Sequence, residues 1–267
     1  MQAEEDYINL NRQLWNARVE SHLNSAFYDI EGFKKGRNSL TVPELELIGD
    51  VRGKKILHLQ CHFGQETISL ARLGASAVGV DLSDKAVDAA KSLAKELNVD
   101  AEFACCNIYD LPKYLNTKFD MVFTSFGTIG WLPDLEKWAQ VVSHFLKPGG
   151  EFVFVEFHPV IWMFDELFDK IQYSYFKDEA IVEVETGSYA DRNSGIQLQS
   201  VSWNHSMSEV VNNLIKQGLQ IECMNEFPYS PYDCFRKTIE TKPHQFQIAH
   251  IKDKLPLVYA IKASKKK

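Results

Sequence analysis

Residues 56–64 read Ile-Leu-His-Leu-Gln-Cys-His-Phe-Gly, a run of strand-forming residues that ends at a glycine. A helical pattern begins at Gln65, so the run sets a sharp bend between a buried strand and a helix N-terminus. Backbone N–H groups point outward there, and a nucleotide-like ligand can approach the main chain. Asp81 closes the next strand about twenty residues later, where a carboxylate can accept hydrogen bonds from both hydroxyls of an adenosine ribose. Asn107 and Ser125 end the third and fourth strands and face the same crevice. Three converging strand ends specify an adenosine site better than any one of them does.

The elements that must hold these residues follow from the hydropathy pattern. Strands are predicted over 55–61, 77–81, 102–106, 119–125 and 151–157, alternating with helices over 65–73, 83–97 and 134–145. Lys147-Pro148-Gly149-Gly150 reads as a turn before the fifth strand. A helix over 207–217 and strands over 219–227 and 257–263 complete the pattern. This alternation predicts an α/β fold with a parallel, doubly wound sheet and a ligand crevice at the carboxyl ends of the strands. Residues 1–53 read as an N-terminal helical cap, with helices over 5–24 and 42–48 around an aromatic, irregular segment at 27–33. Residues 54–267 form the main domain, with a β-rich insertion at about 160–201 after the fifth strand, carrying two or three short strands.

These residues resemble the class I S-adenosylmethionine-dependent methyltransferases over about 54–158. The resemblance rests on Cys61-His62-Phe63-Gly64, Gly79-Val80-Asp81-Leu82-Ser83, Cys106-Asn107-Ile108-Tyr109-Asp110-Leu111-Pro112, Phe119-Asp120-Met121-Val122 and Leu146-Lys147-Pro148-Gly149-Gly150. It implies a Rossmann-like, seven-stranded sheet with a final antiparallel strand and S-adenosyl-L-methionine as cofactor. It further implies a cofactor site made by Gln60, Cys61, His62, Phe63, Gly64, Gln65, Asp81, Leu82, Ser83, Asn107, Ile108 and Ser125. In that analogy Asp81 holds the ribose, Asn107 sits near the adenine amino group and Gly64 lies under the methionine part. The chain departs from the family at three positions, with His58 where an acid is usual and Gln60 and His62 where glycines are usual. A Cβ there restricts the backbone and crowds a ligand, although Gln60 or His62 could instead hydrogen-bond the cofactor.

Methyl transfer is an in-line displacement at a carbon already activated by sulfonium, so the protein mainly aligns the reactants and excludes water. An acceptor hydroxyl or protonated amine needs a base. His158, just beyond the fifth strand, is the expected one, with His205 and Glu156 behind it. Tyr28, Trp131 and His158 are the expected acceptor contacts. Trp15, Trp162 and Trp203 are further aromatics that could line an apolar pocket.

The remaining composition narrows the function. A net charge of −7 disfavours nucleic acid and anionic membranes as partners and leaves a small-molecule acceptor. The acidic N-terminal residues lack a secretory pattern, and five cysteines without a C-x-x-C pair suit a reducing, cytoplasmic setting. Without H-E-x-x-H or a compact Cys/His cluster, no metal is expected. The insertion is compatible with either a monomer or a homodimer. Two other readings stand beside methyl transfer. One is a non-catalytic protein that binds S-adenosylmethionine or adenosine on the same fold. The other is an NAD(P)-dependent oxidoreductase, against which the missing G-x-G-x-x-G argues.

Overall fold

The structure, a computed structural model, describes residues 6–267. Seven strands form the main sheet: β1 (Lys55–Leu59), β2 (Ser76–Asp81), β3 (Ala101–Cys105), β4 (Phe119–Ser125), β5 (Leu146–Phe157), β8 (Leu219–Phe227) and β11 (Val258–Lys265), in the order β3-β2-β1-β4-β5-β11-β8. Strands β1 to β5 pair in parallel, while β11 runs antiparallel to both β5 and β8. The order reverses at β1 and β4, and this switch point opens the crevice in which the expected site residues lie.

Alternation along the strands sends side chains to two cores. Leu57, Leu59, Val122, Phe152 and Phe154 pack on one face with Trp138 and Phe145 of α6 (Leu135–Phe145) and Val210 and Leu214 of α7 (Met207–Lys216). Ile56, Met121, Phe123, Val153 and Val155 pack on the other with Leu70 of α4 (Gln65–Arg72) and with Leu47 and Ile48 of α3 (Val42–Ile48). Each fully buried large apolar side chain contributes about 1.5–3 kcal/mol, and the two-sided burial explains why these strands read as nearly continuous apolar runs. The helix α5 (Asp84–Glu96) starts at Ser83, whose hydroxyl accepts the Ala86 N–H.

Two predicted boundaries shift for physical reasons. Lys147-Pro148-Gly149-Gly150 does not end before the fifth strand but lies within it. Pairing jumps from Phe119 opposite Leu146 to Met121 opposite Glu151, with Gly149 at φ 77°, so the turn signal is a bulge. The first helix, α1, spans Tyr7–Leu23, and the predicted start at residue 5 lies outside the described residues. The aromatic segment contains a short helix, α2 (Ile30–Lys34), that its pattern did not announce.

The insertion holds the antiparallel hairpin β6 (Ile181–Thr186) and β7 (Gln197–Ser202). A second hairpin, β9 (Thr238–Lys242) and β10 (Gln245–Ile248), was not foreseen. Cap and insertion are clasped together. Asn11 donates from Nδ2 to the Val201 carbonyl at 2.8 Å and accepts the Val201 N–H at 2.9 Å, while Arg18 pairs with Glu185. None of the described helices is long and apolar enough to cross a membrane.

Candidate active site

Beneath this clasp lies a cavity of about 1060 Å³, floored by the carboxyl ends of β1 to β5 and roofed by α1, the insertion and the 232–236 segment. The β1 turn is its geometric centre. Gln60 and His62 take φ of 56° and 51°, the left-handed region that glycine ordinarily supplies. A non-glycine residue pays about 1–2 kcal/mol for that conformation. The turn of a glycine-rich loop is thus kept although its glycines are gone, and two side chains are added to the cavity wall. Gln60 donates from Nε2 to the Thr128 carbonyl at 2.8 Å, which fixes its amide and leaves Oε1 buried without a donor. His62 packs against Trp15, His22, Tyr28 and Phe63, and burial holds its ring well below the usual histidine pKa, hence neutral.

Asp81 is held by main chain. One carboxylate oxygen accepts the His62 N–H at 2.8 Å, the other the Ser83 N–H at 2.9 Å. Burial raises its pKa, and these donors oppose the rise. A carboxylate so fixed, with lone pairs left over, can accept from a vicinal diol. Leu82, Asn107 and Ile108 continue the wall beside it, and Ser125 flanks it at the end of β4. Cys61 and Gln65 also line the cavity, but Gln65 spends its amide N–H on the Tyr28 carbonyl at 3.0 Å.

Other expected site residues stand behind the wall. Phe63, Gly64 and Ser83 do not line the cavity. Gly64, at φ 81°, lies where a Cβ would come within 2.5 Å of Phe103 Cε1 and 2.9 Å of Ala90 Cβ, so close packing of α4 requires it. Ser83 caps α5 and donates to Asn16 Oδ1 of the cap at 2.6 Å.

His158, expected as the base, does not line the cavity either. Its Nδ1 accepts the Val160 N–H at 3.2 Å, and its Nε2 meets Glu226 of β8 at 2.9 Å. The chain turns after Phe157, and the ring follows the neighbouring strand instead of the crevice. His205 does line the cavity, but both ring nitrogens are engaged, one with the Leu132 carbonyl at 2.8 Å and the other with Glu209 at 3.0 Å. Glu156 is saturated by the backbone of residues 127–129. Tyr28 and Trp131, the expected acceptor contacts, both line the cavity, with the Tyr28 hydroxyl bonded to that of Tyr189. Trp131 donates from Nε1 to the Gly127 carbonyl at 2.8 Å and packs edge-on against Trp15.

Sequence reasoning missed Arg18, Tyr189, Tyr232 and the pair Glu44 and Glu66. The buried Arg18 interrupts the apolar stripe of α1, a signal that was open to reading. Tyr189 and Tyr232 lie in irregular stretches without periodicity.

A family model described as a methyltransferase domain matches residues 56–150, the segment that holds this turn and Asp81. Residues 56–150 thus match a methyltransferase domain, and the seven-stranded sheet has the class I methyltransferase fold. A solved S-adenosylmethionine-dependent methyltransferase from Mesorhizobium loti superposes with a TM-score of 0.57 at 20% identity, over 87% of this chain and all of that one. One from Listeria monocytogenes, described as putative, gives 0.58 at 20% identity, over 83% of this chain and 94% of that one. Among curated proteins, an uncharacterized methyltransferase from Synechocystis is 38% identical over 45% of this chain and 55% of its own length. A ubiquinone biosynthesis O-methyltransferase from Chromobacterium violaceum is 30% identical over 42% of this chain and 48% of its own. The chain thus spans about half the length of these curated relatives. The cap and insertion that roof the cavity lie outside residues 56–150.

Proposed function

We propose that the protein transfers a methyl group from S-adenosyl-L-methionine to a small-molecule acceptor by in-line displacement. The observation that carries this reading is Asp81, clamped by two backbone N–H groups at the mouth of a left-handed β1 turn and facing a roofed cavity. Small-molecule sites commonly occupy about 300–1,000 Å³, so a cavity of about 1060 Å³ has room for donor and acceptor side by side. When bound, S-adenosylmethionine supplies a methyl group already activated by its sulfonium. Asp81 accepts from the ribose hydroxyls, Leu82, Asn107 and Ile108 border the adenine, and Gln60 and His62 border the remainder of the donor. The clasp of cap and insertion excludes water. Trp15, Trp131 and Tyr28 give the acceptor side an aromatic lining.

Solved neighbours described as a geranyl diphosphate C-methyltransferase and a glycopeptide N-methyltransferase act on small molecules, which supports the same class here and no particular acceptor. The five free cysteines fit a reducing, cytoplasmic location, and the proposal takes the protein as a monomer or homodimer without a nucleic-acid partner. Calorimetric titration with S-adenosylmethionine, S-adenosylhomocysteine and NADH tests it. Micromolar binding of the first two is expected, weakened about 100-fold in Asp81→Ala through loss of two charge-assisted hydrogen bonds. Binding of NADH alone would establish an oxidoreductase instead.

A further inference from the structure

Methyl transfer to a hydroxyl leaves a proton to be removed, and the histidines expected to take it are engaged elsewhere, His158 with Glu226 and His205 with Leu132 and Glu209. His58 lines the cavity but is bonded to Thr67. His62 differs from all three. Asp81 accepts its main-chain N–H at 2.8 Å, and its ring is held by packing against Trp15, His22, Tyr28 and Phe63. No described residue hydrogen-bonds that ring. Nε2 is sealed from solvent without a partner, whereas Nδ1 is not sealed and belongs to a residue of the cavity lining. The backbone at φ 51° is strained for any residue but glycine, and a nitrogen is left unsatisfied. Strain and an unmet polar atom together mark a side chain that meets a ligand.

The surroundings select that ligand. Burial, His22 and the Arg18 charge hold the ring neutral, so it offers a lone pair and no charge. The same burial and cation disfavour an ammonium group beside it. Trp15 lies 5.4 Å and Tyr28 5.5 Å from the His62 ring, and Trp131 lies 5.4 Å from Trp15. All three line the cavity, and the group that suits this corner is a neutral hydroxyl on an aromatic ring.

We propose that Nδ1 of His62 takes the proton from an aromatic hydroxyl of the acceptor. The proposal rests on S-adenosylmethionine as donor. A lone pair of the hydroxyl oxygen forms the new bond to the methyl carbon, the carbon–sulfur bond breaks with its electron pair going to sulfur, and the O–H proton passes to Nδ1. The positive charge that leaves the sulfonium reappears on the imidazole, so the net charge of the cavity is unchanged, and the proton escapes to water as the products leave. The hydroxyl grows more acidic as the methyl group adds, so a weakly basic ring suffices.

The test uses phenol as acceptor probe with wild type, His62→Gly and His62→Asn. Glycine keeps the N–H that Asp81 accepts and suits the left-handed backbone; asparagine, also at ease there, serves if the glycine variant does not fold. Titration with S-adenosylhomocysteine checks folding and the donor site, and binding is expected in all three proteins. With S-adenosylmethionine, wild type should convert phenol to anisole at a rate independent of pH from about 6 to 9, where the ring is neutral and a phenol of pKa about 10 keeps its proton. Either variant should be slower by about 100-fold and gain about tenfold per pH unit, because only phenolate then reacts, and free imidazole should partly rescue the glycine variant. A variant as fast as wild type would overturn the proposal and leave Glu66, also on the lining, as the base. A slow variant with the flat pH profile of wild type would overturn it as well, since the ring would act through structure alone. Wild type that binds S-adenosylhomocysteine and forms no anisole would overturn the aromatic hydroxyl as acceptor. If wild type does not bind S-adenosylhomocysteine, the methyltransferase reading itself falls, an outcome distinct from the others.

Discussion

Two acidic regions border the same cavity and are provisioned in opposite ways. Glu156, at the end of β5, accepts from the N–H groups of Gly127, Thr128, Ile129 and Phe157 and from the Thr128 hydroxyl. The loop after β4 wraps around it, with Phe126 and Gly127 at φ of 44° and 71° to aim their neighbours' amides inward. Glu44 and Glu66 have fewer: Thr41 and Ser125 donate to Glu44, Ser39 and its own N–H to Glu66, and each carboxylate feels burial while Glu44 raises Glu66. A buried carboxylate surrounded by donors is a structural centre whose charge is answered within the fold. One with fewer donors costs free energy while ionised and relieves it by taking up a proton. The Glu156 nest builds the cavity floor, whereas Glu66 meets the cavity with a carboxyl pushed up to about 7 by burial and the Glu44 charge.

The sharpest way to break this contrast is Glu156→Gln. The amide turns one acceptor into a donor that confronts backbone N–H groups, so at least two charge-assisted hydrogen bonds are lost. We expect a loss of about 3–5 kcal/mol and a Tm lower by roughly 10 °C in differential scanning calorimetry. A shift under about 2 °C would mean that the nest is not load-carrying for the loop.

The opposite response is expected of Glu66→Gln in the ligand-free protein. Its folded pKa of about 7 lies above the ordinary 4.5, so its contribution to stability is fully present below pH 4.5 and is lost as the pH rises through 7. At pH 8 the wild type therefore carries a penalty on the order of 2–3 kcal/mol that the neutral amide escapes. Urea unfolding should show the variant more stable than wild type at pH 8 and equal to it at pH 4. A variant less stable at pH 8 would show that the donors of Glu66, Ser39 among them, outweigh the cost of its burial.

The proposed adenosine half of the site was legible because strand alternation and strand-end polarity are local patterns. Asp81, Asn107 and Ser125 stand where the pattern put them, and the bounds of α3 were readable from Thr41-Val42-Pro43-Glu44. Glu44 and Glu66 were invisible for an instructive reason: local rules already account for each. Glu44 is the third residue of a capping box, and Glu66 is a first-turn acid that favours its helix dipole. Only the docking of α3 against α4 brings them together. The clasp is likewise tertiary, since Arg18 and Glu185 are 167 positions apart. At Gln60 and His62 residue type misleads, because the backbone keeps a glycine-like path at side-chain cost. His158 shows that a place at a strand end does not fix where its ring points.

The histidines in and behind the cavity wall carry the smallest net effect. Burial lowers His22 and His58 to about 3 and holds His62 well below its ordinary value. For a base with a lowered folded pKa, the stability is present above the unfolded value of 6.5 and is lost as the pH falls below it toward 3. Between pH 7 and 5 His22 and His58 each cost on the order of 2 kcal/mol. Protonating Glu66 and Glu44 over the same interval returns on the order of 2 and 1 kcal/mol, because their pKa values are displaced upward. Glu66→Gln should therefore lose about 2 kcal/mol more than the wild type between pH 7 and 5, read from urea midpoints. Parallel pH profiles for the two proteins would mean that Glu66 titrates normally, and the contrast between the two acidic regions would collapse into one of geometry alone.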